Sequence, residues 1–268
     1  MAGDLDGQVA IITGGGRGFG RAIAEGFARA GAAVTVTSRT RSELEEVADG
    51  IEKSGERAIA VAGDVTNYAD VERVVGQTEE RFGPVSLLVH NAGVPWPFGP
   101  TWHVDPQRWI QAQTVHVGGA MNLLHAAVPG MVERGSGRVI IVASGAGTRP
   151  VPNMSGYAVA KATQIRLTET LALEGKEHGV FAFVITPGDV ITELSHLTVN
   201  DPDAQRYVPG FVERLQTRMA ANEDGTAGLQ RCATLCIELA SGRCDALSGR
   251  YLTPNDDLAA LMKEAVAS

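Results

Sequence analysis

Continuous apolar runs of five to seven residues, each followed by a stretch with helical patterning, recur along this chain. The runs are "QVAIIT" (8–13), "AVTVT" (33–37), "RAIAVA" (57–62), "SLLVHN" (86–91), "RVIIVA" (138–143), "VFAFVIT" (180–186) and "GRYLT" (249–253). A strand with one face in water alternates apolar and polar residues; runs this continuous need cover on both faces, as in a parallel sheet between helical layers. Helical patterning occupies 18–29, 41–54, 68–82, 106–134, 155–175 and 226–241. Asp105 followed by Pro106 is a sound helix start, an N-cap residue with proline at the first helical position. Strand and helix in alternation imply right-handed crossovers, so residues 1–268 are expected to form one doubly wound α/β domain around a parallel sheet of about seven strands.

Bulk properties narrow the partners. A chain of 268 residues with 44% hydrophobic residues can bury one large core. Its 23 basic against 31 acidic residues leave a net charge of -8, which argues against nucleic acid or an anionic membrane surface and for a small molecule. The start "MAGDLDGQVA" lacks a basic segment followed by an apolar one, so a cytoplasmic location is expected. Cys232, Cys236 and Cys244 match no zinc spacing and no HExxH pair occurs, so the cysteines read as small buried hydrophobes and no metal site is expected.

Two stretches interrupt the alternation: "VPWPFGPTWH" (94–103) and a polar, partly helical insertion at 193–225. Loops at the carboxyl ends of parallel strands carry ligand sites. Both are therefore candidate walls of a substrate pocket, with 193–225 as its lid. Trp96, Phe98 and Trp102 either make that pocket apolar or pack against a neighbouring subunit.

After the first run comes "TGGGRGFG", Thr13 to Gly20, leading straight into a helix. Between a first strand and a first helix, its backbone N–H groups and the helix dipole can hold a pyrophosphate, as in a Rossmann fold. Gly14, Gly16, Arg17, Gly18, Phe19 and Gly20 are the contacts expected from this turn. The second run ends in "TSRTR", where Ser38 and Arg39 stand and no carboxylate appears until Glu43. NAD sites place an acid here for the ribose 2′-hydroxyl, whereas guanidinium groups suit a 2′-phosphate. NADP(H) is favoured over NAD(H), with Arg17 as a second cation.

In "SGYAVAKAT", Tyr157 and Lys161 lie four residues apart and share a helix face. The pair either steadies the helix or does chemistry. Further motifs bear on the choice: "GDV" (63–65), "HNAG" (90–93), Ser144 thirteen residues before Tyr157, and "TPGDVIT" (186–192). Together and in this order they resemble the classical short-chain dehydrogenase/reductase family, from about residue 7 to about residue 253. The resemblance implies adenine contacts from Asp64 and Val65, and further cofactor contacts from Asn91, Ala92, Gly93, Pro187, Gly188, Val190 and Thr192. It also implies catalysis by Ser144, Tyr157 and Lys161, with the lysine gripping the nicotinamide ribose, and a homotetramer or dimer.

The chemistry suits these residues. Ketone reduction needs a hydride on carbon and a proton on oxygen, so Tyr157 is the candidate proton donor, drawn toward neutrality by Lys161, and Ser144 fixes the substrate oxygen. The chain departs from the family at its carboxyl end, where "TPNDDL" follows "SGRYL" in place of the common VDGG ending, and at two asparagine positions. His90 replaces its first asparagine in NNAG, and His116 replaces the helix asparagine that links the lysine through water to solvent. His116 either passes protons in its place or only packs. The function expected is interconversion of a secondary alcohol and a ketone. A 3-hydroxyacyl-thioester dehydrogenase and a dinucleotide-sensing regulator without chemistry are the alternatives.

Overall fold

The computed structural model describes residues 3–267. Seven strands, β1 (Val9–Thr13), β2 (Ala33–Thr37), β3 (Arg57–Ala60), β4 (Leu87–His90), β5 (Gly137–Val142), β6 (Val180–Ile185) and β7 (Tyr251–Leu252), form one parallel sheet in the order β3-β2-β1-β4-β5-β6-β7. Helices α1 (Gly18–Arg29), α2 (Arg41–Lys53), α3 (Tyr68–Phe82), α4 (Pro106–Gln113), α5 (Gly119–Arg134) and α6 (Ser155–Gly175) carry the crossovers through β6. Three short helices, α7 (Glu193–Val199), α8 (Pro202–Tyr207) and α9 (Pro209–Ala220), fill the insertion before α10 (Thr226–Ala240).

The continuous apolarity of the strands is explained by the two cores. Ala10 and Ile12 of β1 point into a cluster with Phe27, Phe183 and Leu239, under α1, α2 and α10. Val9 and Ile11 point the other way, toward Leu88, Leu123 and Ile141, under α3 and α5. Side chains alternate along a strand, so both parities must be apolar when both faces are covered. Complete burial of a leucine- or phenylalanine-sized side chain stabilises by about 1.5–3 kcal/mol. On the first face α1 and α10 pack closely because Gly26 has no side chain; a Cβ there would lie 3.2 Å from that of Ala233. The three cysteines are buried, as expected.

Four elements differ from expectation. The long helix at 106–134 is not regular: a wide π-helical turn at Thr114–Gly118 separates α4 from α5. The run at 57–62 pairs only to Ala60, and 249–253 contributes just Tyr251 and Leu252. A further helix, α11 (Leu258–Ala267), was not anticipated. Asp105 does cap α4, accepting a hydrogen bond from Gln107 N at 2.9 Å. No helix among the described residues is long and apolar enough to cross a membrane.

From β1 the sheet runs to β2 and β3 on one side and to β4 onward on the other. Connections leaving β1 and β4 therefore diverge, and a crevice opens between them at the carboxyl edge. This is where the glycine turn and the HNAG segment meet.

Candidate active site

The turn after β1 is built on backbone conformations that L side chains rarely adopt, with φ of +63° at Gly14 and +53° at Gly18. Gly20 allows close approach: a Cβ there would run into the Gly14 carbonyl. No side chain caps α1, so its first N–H groups remain open to the cleft. Asn91 ties this turn to β4, its Nδ2 donating to the carbonyls of Thr13 and Gly14 at 3.1 and 3.2 Å. The Thr13 hydroxyl accepts from the backbone N–H groups of Asn91 and Ala92 at 3.0 and 3.1 Å.

A cavity of about 360 Å³ runs from this turn to the end of β5. Every residue put forward from the sequence for catalysis or cofactor contact lines it except Gly20, whose part is packing. The two arginines expected to share a 2′-phosphate differ. Arg39 is exposed and forms no ion pair among the described residues, whereas Arg17 is paired with Glu43 at 3.2 Å and approaches Glu193 at 4.0 Å. Arg17 is thus already partly neutralised, which weakens the reading of it as a second free cation.

At the other end, Ser144 follows β5, its Oγ accepting from Ala146 N at 3.2 Å. The Ser144 hydroxyl and Tyr157 line the same part of the cleft, and the Lys161 ammonium lies 5.5 Å from the tyrosine ring centroid. Burial pushes the Tyr157 phenol above its ordinary value, opposed by the neighbouring Ser144 hydroxyl. This is the reverse of the acidification expected from the sequence. Lys161, 4% exposed, does not offset this burial of the phenol, since its own burial brings it down to about 7. Its Nζ donates to Val142 O at 2.8 Å and to Gln164 Oε1 at 3.0 Å.

Gln164 was not singled out in the sequence, yet it is completely buried and links the lysine to the π turn. Its Nε2 donates to the His116 carbonyl at 2.9 Å, and His90 Nε2 donates to the same carbonyl at 3.1 Å. With its proton on Nε2, His90 accepts at Nδ1 from the Thr13 hydroxyl, 3.3 Å away. A buried chain of hydrogen bonds therefore joins Lys161 to the glycine turn through Gln164, the His116 carbonyl, His90 and Thr13. A polar residue one turn beyond the lysine, on the helix face that also carries Tyr157 and Thr168, was the available signal.

The His116 side chain is 1% exposed and packs edge-on to Tyr157, with ring centroids 5.6 Å apart. Its Nε2 donates to Val94 O at 2.9 Å, and buried Nδ1 has no hydrogen-bond partner among the described residues. Gly93 makes room for it, since a Cβ there would lie 3.0 Å from Nδ1. Burial, then the neighbouring Lys161, hold the His116 imidazole well below its ordinary value; the same causes bring His90 down to about 3. Both rings are thus neutral near pH 7. Lys161 is thus joined to the His116 backbone carbonyl through one side-chain amide, that of Gln164.

The aromatic loop does not line the cleft as a group. Phe98 is buried against Met154, Ala204 and Val212, Trp96 packs on that cluster beneath Arg108, and Trp102 is 84% exposed. Leu194, Leu197, Phe211 and Leu215 of the insertion are the apolar wall instead. Arg218 of α9 fastens the insertion to the "TPGDVIT" segment, bonding the Asp189 carboxylate at 2.7 Å and its carbonyl at 3.1 Å.

Comparison with known proteins agrees with this geometry. The short chain dehydrogenase family model matches residues 8–203. A short chain dehydrogenase of Pseudocercospora fijiensis is 35% identical over 98% of this chain and 85% of its own. The 2,3-dihydro-2,3-dihydroxybenzoate dehydrogenase of Bacillus subtilis is 29% identical over 80% of this chain and 82% of its own. Among solved structures, a gluconate 5-dehydrogenase from Burkholderia cenocepacia, in complex with NADP and tartrate, superposes with a TM-score of 0.79 at 29% identity, covering 96% of each chain. From its sheet order, its glycine turn and these relatives alike, the chain belongs to the short-chain dehydrogenase family of nicotinamide-dependent oxidoreductases.

Proposed function

We propose that this protein interconverts a secondary alcohol and a ketone with NADP(H), Tyr157 serving as general acid and base. The observation that carries the reading is the gathering of Ser144, Tyr157 and Lys161 in the same cleft as an uncapped helix N-terminus and a glycine turn. The donor set fits a dinucleotide: open backbone N–H groups for a pyrophosphate, Asp64 for an adenine, and Arg39 for a 2′-phosphate. When bound, the nicotinamide supplies or accepts the hydride.

The chain's own residues do the rest. In the reductive direction Tyr157 gives its phenolic proton to the substrate oxygen, while Ser144 donates a hydrogen bond that holds that oxygen as charge develops. Lys161 has two N–H groups committed to Val142 and Gln164, which leaves the third for the cleft. There it favours the phenolate in alcohol oxidation. The insertion at 193–225 acts as a lid that excludes water. We further infer a homotetramer or dimer, since Ile110, Met121, Val159 and Leu173 stay exposed on α4, α5 and α6, and a cytoplasmic site of action.

Gluconate and dihydrodihydroxybenzoate, named for two relatives, are carboxylates. Neither is the expected substrate, because the one cation at the catalytic end of this cleft among the described residues, Lys161, is brought down to about 7 by burial and gives two of its three donors to Val142 and Gln164. The test is NADPH oxidation with a panel of ketones. Tyr157→Phe should lower kcat at least about a hundredfold, in line with the loss of a positioned proton donor, with NADPH affinity nearly unchanged. If the wild type binds NADPH and reduces no carbonyl, the regulator reading takes its place.

A further inference from the structure

We infer that the substrate half of the cleft selects a carbonyl compound that carries no charge and whose body is apolar; this rests on the function proposed above. The first ground is an inventory of charge. The cations among the described residues lining the cleft are Arg17, Arg39 and Lys161. Arg39 stands at the end of β2, with Ser38 and Asp64, at the pole opposite Tyr157. Arg17 is paired with Glu43 and Glu193, and Lys161 gives two of its three donors to Val142 and Gln164, the third being the one that the family resemblance assigns to the nicotinamide ribose.

A carboxylate or phosphate on the substrate would therefore leave water with no free arginine to pair with at this end, and the acidic side chains there, Asp189 and Glu193, are themselves paired with arginines. A cationic substrate fares no better. Those same two carboxylates are held by arginines, Asp189 by Arg218 at 2.7 Å and Glu193 by Arg17 at 4.0 Å. His116, the remaining titratable group at this end, is a buried neutral ring and offers no charge of either sign.

The second ground is the wall itself. Leu194, Leu197, Phe211 and Leu215 come from α7 and α9, and Val94 and Val190 close the sides. Phe211 and Tyr157 pack against one apolar cluster, that of Phe98, Met154, Ala204 and Val212, so the proton donor and the apolar wall are contiguous. Leu197 keeps 43% of its surface exposed, an apolar side chain still lacking cover on the cleft side of the lid. A ketone carbon bonded to an aryl or alkyl body would cover it while its oxygen lies toward Ser144 and Tyr157.

Matched ligands test the inference. Acetophenone, 4-acetylbenzoate and (4-acetylphenyl)trimethylammonium share one shape near the carbonyl and differ in charge. Their dissociation constants would be measured by ligand-observed NMR on Tyr157→Phe enzyme saturated with NADPH, where no turnover intervenes. The expected result is at least tenfold tighter binding of acetophenone than of either charged analogue. Adding Phe211→Ala should weaken acetophenone by about tenfold and leave NADPH affinity within twofold. Equal or tighter binding of a charged analogue overturns the inference, as does an acetophenone affinity indifferent to Phe211. Wild-type enzyme that binds in the expected order yet reduces none of the three ketones would count against the proposed reaction and leave the selectivity standing.

Discussion

Replacing Gln164 by glutamate sets a carboxylate against the lysine at a distance known from the amide it replaces. Burial brings Lys161 from 10.5 down to about 7, which corresponds to about 5 kcal/mol against the ammonium. Gln164 Oε1 lies 3.0 Å from its Nζ. A unit negative charge at about 3 Å and an effective dielectric constant near 20 favours the ammonium by about 5 kcal/mol. The two effects are of one size and opposite sign. Even if desolvation of the new carboxylate consumes half of the gain, the lysine should titrate about two pH units higher than in the wild type.

The assay is direct, because the chain has four lysines and Lys53, Lys176 and Lys263 are exposed. In protein labelled at lysine Cε, one resonance is expected to titrate near pH 7 in the wild type and near or above pH 9 in Gln164→Glu. The pH profile of kcat/KM should lose the matching limb. Glutamate cannot replace the donation to the His116 carbonyl, so the variant should also lose about 1–3 kcal/mol of stability. A lysine resonance that titrates within half a pH unit of the wild-type value in a folded variant would refute the reasoning, since the charge could then not be held where the amide is.

Two further outcomes follow from charges elsewhere. Arg39→Asp should weaken NADPH at least tenfold and improve NADH, measured as dissociation constants by nucleotide fluorescence; a wild type that already prefers NADH contradicts it. His90 and His116 are both held below their unfolded value, so below about pH 6.5 the unfolded chain binds protons that the folded one does not. Stability should therefore fall on acidification, with these two rings contributing up to about 2.7 kcal/mol per pH unit once both titrate only in the unfolded state. Urea denaturation between pH 7 and 5 reads the slope, and His116→Asn should remove about half of that contribution; an unchanged slope would mean that the ring is not buried neutral.

The division between sequence and tertiary structure follows the range of the forces concerned. Strands β1, β4 and β5 show in the sequence as runs of valine, leucine and isoleucine, because both faces of each strand must be apolar. Helices α1, α3 and α6 begin and end where their patterns do, since local periodicity and turn residues decide their ends. The glycine turn is equally local: φ values of +63° and +53° at Gly14 and Gly18 require the residue that the sequence has there.

What the sequence by itself determined is therefore the alternation that builds the sheet, the turn that opens the cleft, and the Ser144, Tyr157 and Lys161 set that the sheet brings together. Only the tertiary structure decided that Phe98 is core while Leu194 and Phe211 form the wall, because burial depends on which distant helix folds over a loop. It alone joined Lys161 through Gln164 to the His116 carbonyl. That bond spans 48 residues, and the carbonyl is presented by a π turn in a helix that reads as regular along its whole length. A hydrogen bond between groups so far apart leaves no periodic mark on the chain; it exists only once packing has brought the two together and shut out the water that would otherwise satisfy both.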